Sequence, residues 1–168
     1  MSLLAFAALD DIPAIMAIER RPGYDDLVGR WSAEEHHAEM TGVPGTRYLV
    51  ARGERRMLGF VILQGLDSAN RCTTLRRIAV GEPSRGIGAR ILAATTDHVF
   101  TETPTHRLQL LVYDDNARAA QAYARAGFRT EGLVRDVRAL PDGHFRSMYL
   151  MSILRPDWAA GQPNRSTE

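Results

Sequence analysis

The chain of 168 residues contains no lysine, and all 21 of its basic side chains are arginine. This absence excludes enzymes that form a Schiff base through lysine, and it excludes the phosphate-binding lysine of P-loop proteins. Cys72 is the single cysteine, so the chain can form neither an internal disulfide nor a cysteine-rich metal cluster. A chain with one cysteine fits a reducing compartment, and we expect the protein in the cytoplasm.

Long apolar runs and strong charge of one sign are also missing. No apolar stretch approaches the length that spans a membrane, and residues 1–11 lack the positive charge that begins a signal peptide. The net charge of +1 argues against nucleic-acid binding as the main role. We therefore expect neither a membrane nor a nucleic acid as a partner. The apolar fraction of 45% and the charged fraction of 24% are typical of a globular domain.

Strand-like and helical periods of apolar residues predict one α/β domain without internal repeats or linkers. Residues 3–9 fit either an edge strand or a helix. Further strands are predicted at residues 46–52, 57–64, 73–80 and 107–113, and a hairpin at 128–139 and 145–154. Helices are predicted to begin at Asp10 or Asp11, at Ser32, beyond Gly88 and at Asp115–Asn116, and the last to end at Gly127. We expect the domain to cover residues 1–158 and residues 159–168 to form a disordered tail.

Residues 80–91, VGEPSRGIGARI, place two glycines between a predicted strand and a predicted helix. Ile87 and Gly88 follow Gly86, so the lysine and hydroxyl of a P-loop are missing, and Ile91 replaces the third glycine of a dinucleotide fingerprint. A helix start with free N–H groups suits a pyrophosphate that is held without a metal. A plain helix start, in which the glycines only permit close packing, explains this segment equally well.

Residues 112–128, VYDDNARAAQAYARAGF, predict a helix with an unusual face. Asn116, Ala120 and Tyr123 share this face because they are spaced at i, i+4 and i+7. A core helix would carry Leu or Ile there, whereas alanine lets a ligand or another backbone approach closely. Taken alone, Tyr123 is more simply explained as a core residue with its hydroxyl at the rim.

Together, these segments resemble the GCN5-related N-acetyltransferase superfamily over nearly the whole chain. The strongest parts are RRIAVGEPSRGIGARIL and the run N-x-x-A-x-x-x-Y-x-x-x-G-F from Asn116 to Phe128, and ALDDIPAIMAIE and FRSMYLMSIL resemble the first helix and last strand. Within the superfamily, the chain looks most similar to the bacterial ribosomal-protein alanine acetyltransferase type. The resemblance implies a mixed sheet of about six to seven strands flanked by helices, with a splay between the two central parallel strands, 73–80 and 107–113.

The resemblance also implies that acetyl-CoA is the co-substrate, without a metal, and that it lies between these two strands. The residues expected to contact it are Ile78, Ala79 and Val80 on the strand, Arg85, Gly86, Ile87, Gly88 and Ala89 at the turn, and Asn116, Ala119 and Tyr123 on the following helix. The family pattern at the turn is Q/R-x-x-G-x-G/A, and Pro83 stands at its first position here. Because proline has no N–H and no charge, Ser84 or Arg85 is expected to compensate.

Direct acetyl transfer needs a deprotonated amine, a donor for the oxyanion and a proton for the departing thiolate. A backbone N–H near Ile78 or Val80 is the candidate oxyanion donor. Tyr123 is the candidate proton donor. A thiol titrates at about 8.5 and a phenol at about 10, so at reference values this proton transfer is only modestly uphill.

The sequence identifies the other site residues less directly. Glu82 is a candidate general base because it is close to the turn, and a solvated surface charge is the alternative. The residues that could shape the acceptor pocket, or simply pack in the core, are Tyr24, Trp31 and Arg146. We interpret His36 and His37 as surface residues, because adjacent helical residues point in different directions and make poor metal ligands as a pair.

The amine acceptor stays open at this stage. A protein N-terminal α-amine titrates at about 8 and a lysine-type amine above 10, so the former needs less help from a base. Polyamines, amino acids and aminoglycosides are the alternative acceptors. A non-catalytic acyl-CoA-binding module is a third reading, although such a module has no need of a proton donor like Tyr123. The superfamily often forms homodimers, but no residue of the sequence predicts one here.

Overall fold

The structure, a computed structural model, describes residues 3–25, 27–82 and 86–161. These residues form a seven-stranded mixed sheet in the order β1-β2-β3-β4-β5-β7-β6, which confirms the predicted α/β architecture. The strands are β1 (Leu4–Phe6), β2 (Arg47–Arg52), β3 (Met57–Gln64), β4 (Cys72–Val80), β5 (Arg107–Tyr113), β6 (Arg129–Ala139) and β7 (Phe145–Leu154). The helices are α1 (Ile12–Glu19), α2 (Ala33–Gly42), α3 (Ile87–Glu102), α4 (Ala117–Arg125) and α5 (Arg155–Ala160). None of the described helices is long and apolar enough to cross a membrane.

Local sequence signals set several of these boundaries. Ser32 and Glu35 form the predicted capping box of α2, in which each side chain accepts a hydrogen bond from the backbone N–H of the other residue. Asn116 caps α4, and Gly127 follows that helix with φ of +96°. Segment 3–9 contains the strand β1 rather than a helix. The sequence pattern therefore places these helix ends within a residue or two.

Helix α5 is an element that the sequence pattern does not predict. Its six residues contain a proline and too few apolar positions for a periodic signal. The indole of Trp158 packs 5.4 Å from the ring of Phe100 and donates a 2.8 Å hydrogen bond to Asp97. Residues 159–160 of the expected tail thus belong to a helix, and residues 162–168 lie outside the described residues.

Helices cover the two faces of the sheet unequally. On one face, α3, α4 and α5 pack on strands from both halves of the sheet, and the predicted apolar side of α3 is buried: Ile87, Ile91, Leu92, Thr95 and Val99. On the other face, α1 packs on β2, β3 and β4 through Ile15 and Ile18. Leu111 of β5, on this second face, is 41% exposed. The second face is therefore covered over β2–β4 and more open at β5.

Strands β4 and β5 pair only at their beginnings. The parallel register joins Cys72 to Arg107, and it ends where Thr74 meets Gln109. Strand β4 continues beside β3 to Val80, while β5 continues beside β7 to Tyr113. A gap therefore opens between the carboxyl ends of the two parallel strands, which confirms the predicted splay.

A β-bulge lies where the gap begins. The register between β3 and β4 slips by one residue, so that Arg76 has no opposite partner on β3. A bulge bends its strand and increases the local twist. Before the bulge, Leu75 packs with α3, and after it Ala79 packs with α1. The extra residue thus reverses the faces of β4 and turns its end away from β5.

A buried ion pair anchors the strand just after the bulge. Arg77 of β4 donates to the carboxylate of Glu19 on α1, and both side chains are almost fully buried. Burial alone would raise the pKa of Glu19, but the hydrogen bond from His36 and the charge of Arg77 hold this pKa below its ordinary value. Burial lowers the pKa of Arg77. Helix α1 and strand β4 are therefore joined by a charged contact inside the apolar core.

The surface interpretation of His36 is wrong. His36 is fully buried, with Nε2 3.2 Å from Glu19 and Nδ1 3.0 Å from the Tyr48 hydroxyl. His37 is exposed, as expected. The two imidazoles point in different directions, as expected for adjacent helical residues. The ring of His36 points into the core, where polar groups of α1 and β2 form hydrogen bonds with both of its nitrogens.

We predict that Arg77→Met lowers the free energy of unfolding by about 3 kcal/mol, because it leaves the Glu19 carboxylate buried without its main counter-charge. The double variant Glu19→Met/Arg77→Met removes both charges and should recover part of this loss, because the buried His36 ring also loses its Glu19 partner. Urea unfolding of the wild-type protein and both variants measures the effect. A double variant less stable than Arg77→Met would contradict this account of the pair.

Candidate active site

The edge of β4 presents two residues to the gap. Gly81 donates its N–H to Leu58 on β3, whereas the N–H and C=O of Val80 point away from β3. Because backbone groups alternate in direction along a strand, those of Ile78 also face the gap. The backbone groups of Ala79 point towards β3 instead. Of the three strand residues expected to bind the cofactor arm, Ile78 and Val80 therefore direct their backbone groups towards the gap, where the Tyr24 hydroxyl contacts those of Val80.

The glycine turn places the start of α3 next to the edge of β4. Gly86 precedes the helix in the left-handed conformation, with φ of +80°, and accepts the first helical hydrogen bond from Arg90 at 3.0 Å. The N–H groups of residues 87–89 have no partner within a helix that begins there, and the helix dipole makes this end positive. Such an end suits a phosphate group. Arg85 and its neighbours 83–84 lie outside the described residues.

Helix α4 brings the predicted amide and phenol to the other side of the gap. The Oδ1 atom of Asn116 accepts a 3.2 Å hydrogen bond from the N–H of Ala119, so the cap uses the oxygen and not the amide nitrogen. The ring of Tyr123 packs 5.9 Å from that of Phe128, against the core formed with α3. The amide nitrogen of Asn116 is the atom suited to contact a ligand.

The Tyr123 phenol stays protonated at neutral pH. Burial raises its pKa to about 12, and the nearby Tyr24 phenol adds to the shift. A group must carry a proton to act as an acid, so this shift keeps Tyr123 in the required state. Complete transfer to a free thiolate with a pKa of about 8.5 is then uphill by about 3.5 pKa units. The burial makes this transfer harder than the reference values predict.

A cleft of about 640 Å³ lies beside the gap. Its lining comes from the segment between α1 and α2, the start of α4 and the β6–β7 hairpin: Gly23, Asp25, Leu27, Asp115, Asn116, Leu140 and Arg146. Arg146 lies 3.7 Å over the Tyr113 ring and donates to Asp115 at 2.5 Å, which fixes it in this wall. The cleft joins three segments that are far apart in the sequence.

The other two expected pocket residues are placed differently. Trp31 packs over the guanidinium of Arg77 at 4.4 Å and against the His36 ring at 5.4 Å. Its position therefore supports the buried ion pair. Tyr24 directs its hydroxyl to the backbone of Val80 at the edge of β4. The structure thus brings Tyr24 to the expected cofactor gap, and Arg146 to the neighbouring cleft.

Arginines pair with the carboxylates around the site. A hydrogen bond from Arg56 lowers the pKa of Glu82, whose side chain is 57% exposed. A carboxylate that is solvated and paired in this way is a weak base, so the geometry disfavours Glu82 in that role. Asp25 and Asp115, in the cleft wall, are paired with Arg30 and Arg146. No group of three or more His, Cys, Asp or Glu side chains within the described ranges could hold a metal ion.

We predict that Gly86→Ala lowers the free energy of unfolding by about 1 kcal/mol, because a Cβ atom is strained at positive φ. Gly88→Ala is the matched control in the same turn, since Gly88 is helical and the added Cβ would be 3.7 Å from its nearest neighbour. This control should be neutral or stabilising in urea unfolding. Equal destabilisation by both substitutions would contradict the role given to the left-handed turn.

Solved structures share this arrangement of strands and helices. A chimera of the spermidine N-acetyltransferase SpeG from Vibrio cholerae and hSSAT superposes with a TM-score of 0.81 at 19% identity, over 93% of this chain and 96% of that chain. The ribosomal-protein-S18-alanine N-acetyltransferase from Escherichia coli gives a TM-score of 0.75 at 20% identity, over 100% of this chain and 99% of that chain. At these identities the likeness shows the fold.

The sequence itself carries the family assignment. The model of the acetyltransferase (GNAT) family matches residues 12–128, which run from the start of α1 to the residue that follows Gly127. This range contains the splayed strands, the glycine turn and the α4 helix with Tyr123. The chain belongs to the acetyltransferase (GNAT) family.

Proposed function

We propose that the protein transfers an acetyl group from acetyl-CoA to a primary amine by direct attack. The observation that carries this proposal is the gap between β4 and β5, where Ile78 and Val80 present backbone groups that β5 does not bind. The positive end of α3 borders one end of the gap, and Tyr123 approaches from α4. These features fit a ligand with a diphosphate, an amide-containing arm and a terminal thioester.

When bound, acetyl-CoA supplies a thioester whose carbonyl carbon forms a bond to the amine nitrogen while the bond to sulfur breaks. The N–H of Ile78 stabilises the carbonyl oxygen as it becomes negative. The Tyr123 hydroxyl hydrogen-bonds to the departing sulfur and supplies its proton. The amine loses its own proton to water, because the carboxylates of the cleft wall already have arginine partners.

We propose an α-amine, such as a protein N-terminus, as the acceptor. At pH 7 about one tenth of an α-amine with a pKa of about 8 is neutral, compared with less than about 0.1% of an alkyl amine with a pKa above 10. Without a positioned base, the first class reacts far more readily. The ion pairs of Asp25 and Asp115 also offset the negative charge that these two described residues of the cleft wall would offer to a polyamine. The single free cysteine fits a reducing compartment, and the cytoplasm stays our predicted location.

Acetylation assays that measure thiol release test the acceptor class. Peptides that begin with Ala or Ser should be acetylated faster than spermidine at pH 7, and the same peptides with a blocked N-terminus should not react. Because the Tyr123 pKa is raised to about 12, kcat/KM should rise through the pKa of the amine and stay level to about pH 10. A preference for spermidine would contradict the α-amine proposal, and a fall in rate between pH 8 and 10 would contradict the acid assignment.

The variant Tyr123→Phe tests the proton donor. We expect turnover to fall roughly 100-fold, because the departing sulfur loses its acid. The Kd for acetyl-CoA from isothermal titration should change less than about twofold, since the ring remains. Tyr149→Phe is the matched control, because β5 separates Tyr149 from the gap. Unchanged turnover in Tyr123→Phe would remove this residue from the mechanism.

A further inference from the structure

Tyr24 makes an unusual contact with the backbone of β4. It lies between α1 and α2, in a turn in which its C=O accepts from the N–H groups of Leu27 and Val28. Its hydroxyl accepts the N–H of Val80 at 3.1 Å and donates to the C=O of the same residue at 3.2 Å. One side-chain oxygen therefore satisfies both backbone groups of one strand residue.

These two backbone groups are the ones that a neighbouring strand would bind. Strand β5 has left β4 by this point, so without Tyr24 the edge at Val80 would lack a protein partner there. Tyr24 reaches the gap from the face covered by α1, whereas Tyr123 reaches it from the face covered by α3 and α4. The two phenols therefore approach the same gap from opposite sides of the sheet.

We propose that the Tyr24 hydroxyl stands in for the amide-containing arm of the cofactor, and leaves Val80 when that arm binds. The proposal rests on the proposed function, because it takes acetyl-CoA as the ligand of the gap. An arm that pairs with β4 needs the N–H and C=O of Val80. The N–H has a single proton and already donates to the Tyr24 hydroxyl, so this hydrogen bond must first be released. The free protein thus keeps this edge satisfied with its own side chain.

Release of Tyr24 also affects the acceptor cleft. Gly23 and Asp25, the neighbours of Tyr24 in the chain, both line this cleft. When the hydroxyl leaves Val80, the wall that these residues form loses its hydrogen bonds to β4 at Val80, while Trp31 still packs on Arg77 further along the segment. Tyr24 is therefore a positioning residue that couples the two sites, so that the acceptor cleft takes its final shape after the cofactor arm has entered.

Isothermal titration of three proteins tests the stand-in role. Tyr24→Phe keeps the ring but has no hydroxyl to displace, so we expect it to bind acetyl-CoA about 3- to 10-fold more tightly than the wild-type protein does. The matched control Tyr149→Phe should bind with unchanged Kd. Adenosine 3′,5′-bisphosphate, which lacks the arm, should bind all three proteins equally.

The outcomes separate this proposal from the proposed function. Equal or weaker binding of acetyl-CoA by Tyr24→Phe would overturn the stand-in role, and so would an equal gain for the bisphosphate. Failure of the wild-type protein to bind acetyl-CoA would instead overturn the proposed function. Urea unfolding of Tyr24→Phe shows whether the variant is folded.

A second measurement keeps the coupling testable without a Tyr24 variant. Trp31 lies at the other end of the segment that carries Tyr24, and the chain has only one further tryptophan, Trp158. In the variant Trp158→Phe, acetyl-CoA should change the emission of Trp31, and adenosine 3′,5′-bisphosphate should not. Unchanged emission with saturating acetyl-CoA would overturn the coupling between the gap and the cleft.

Discussion

The site depends on one extra residue in β4. With Arg76 inserted opposite β3, the strand turns away from β5 and exchanges the faces to which its side chains point. The Glu19–Arg77 ion pair then fixes the strand directly after this bend, and Trp31 covers the guanidinium. Such a pair contributes little net stability when it replaces apolar contacts. Its value here is geometric, because it ties α1 to the strand that forms one wall of the gap.

Electrostatic pairing determines which chemistry the site can perform. The cleft carboxylates have arginine partners, and the Glu82 carboxylate near the turn is paired as well. The described groups that reach the gap include neutral donors: backbone amides on β4 and α3, and the phenols of Tyr24 and Tyr123. Neutral donors stabilise developing negative charge without attracting cations strongly. The site is therefore better suited to support an acyl transfer than to deprotonate a strongly basic amine.

The sequence predicts the local features of this protein well and the long-range ones poorly. The alternation of apolar residues predicts most of the strands, and capping residues predict most of the helix ends. The spacing of residues along the chain is enough to predict the glycine turn and the helix face that carries Tyr123. The sequence does not predict the burial of His36, because its partner Glu19 belongs to another helix. Nor does it predict the cleft, because Asp25, Asp115 and Leu140 meet only in the folded chain. Helix α5 depends on the contact of Trp158 with Phe100, which no short pattern encodes.

The short junction between β4 and β5 also has a mechanical consequence. Strands β1–β4 and strands β5–β7 form two blades that backbone bonds join at one root, from Cys72–Arg107 to Thr74–Gln109. Helix α3 packs across both blades but contributes no backbone bonds between them. The angle between the blades is therefore set at the root, and a small twist there becomes a larger displacement at the carboxyl ends of β4 and β5. A molecule that forms hydrogen bonds with both of these strand ends would restrict the motion of one blade relative to the other.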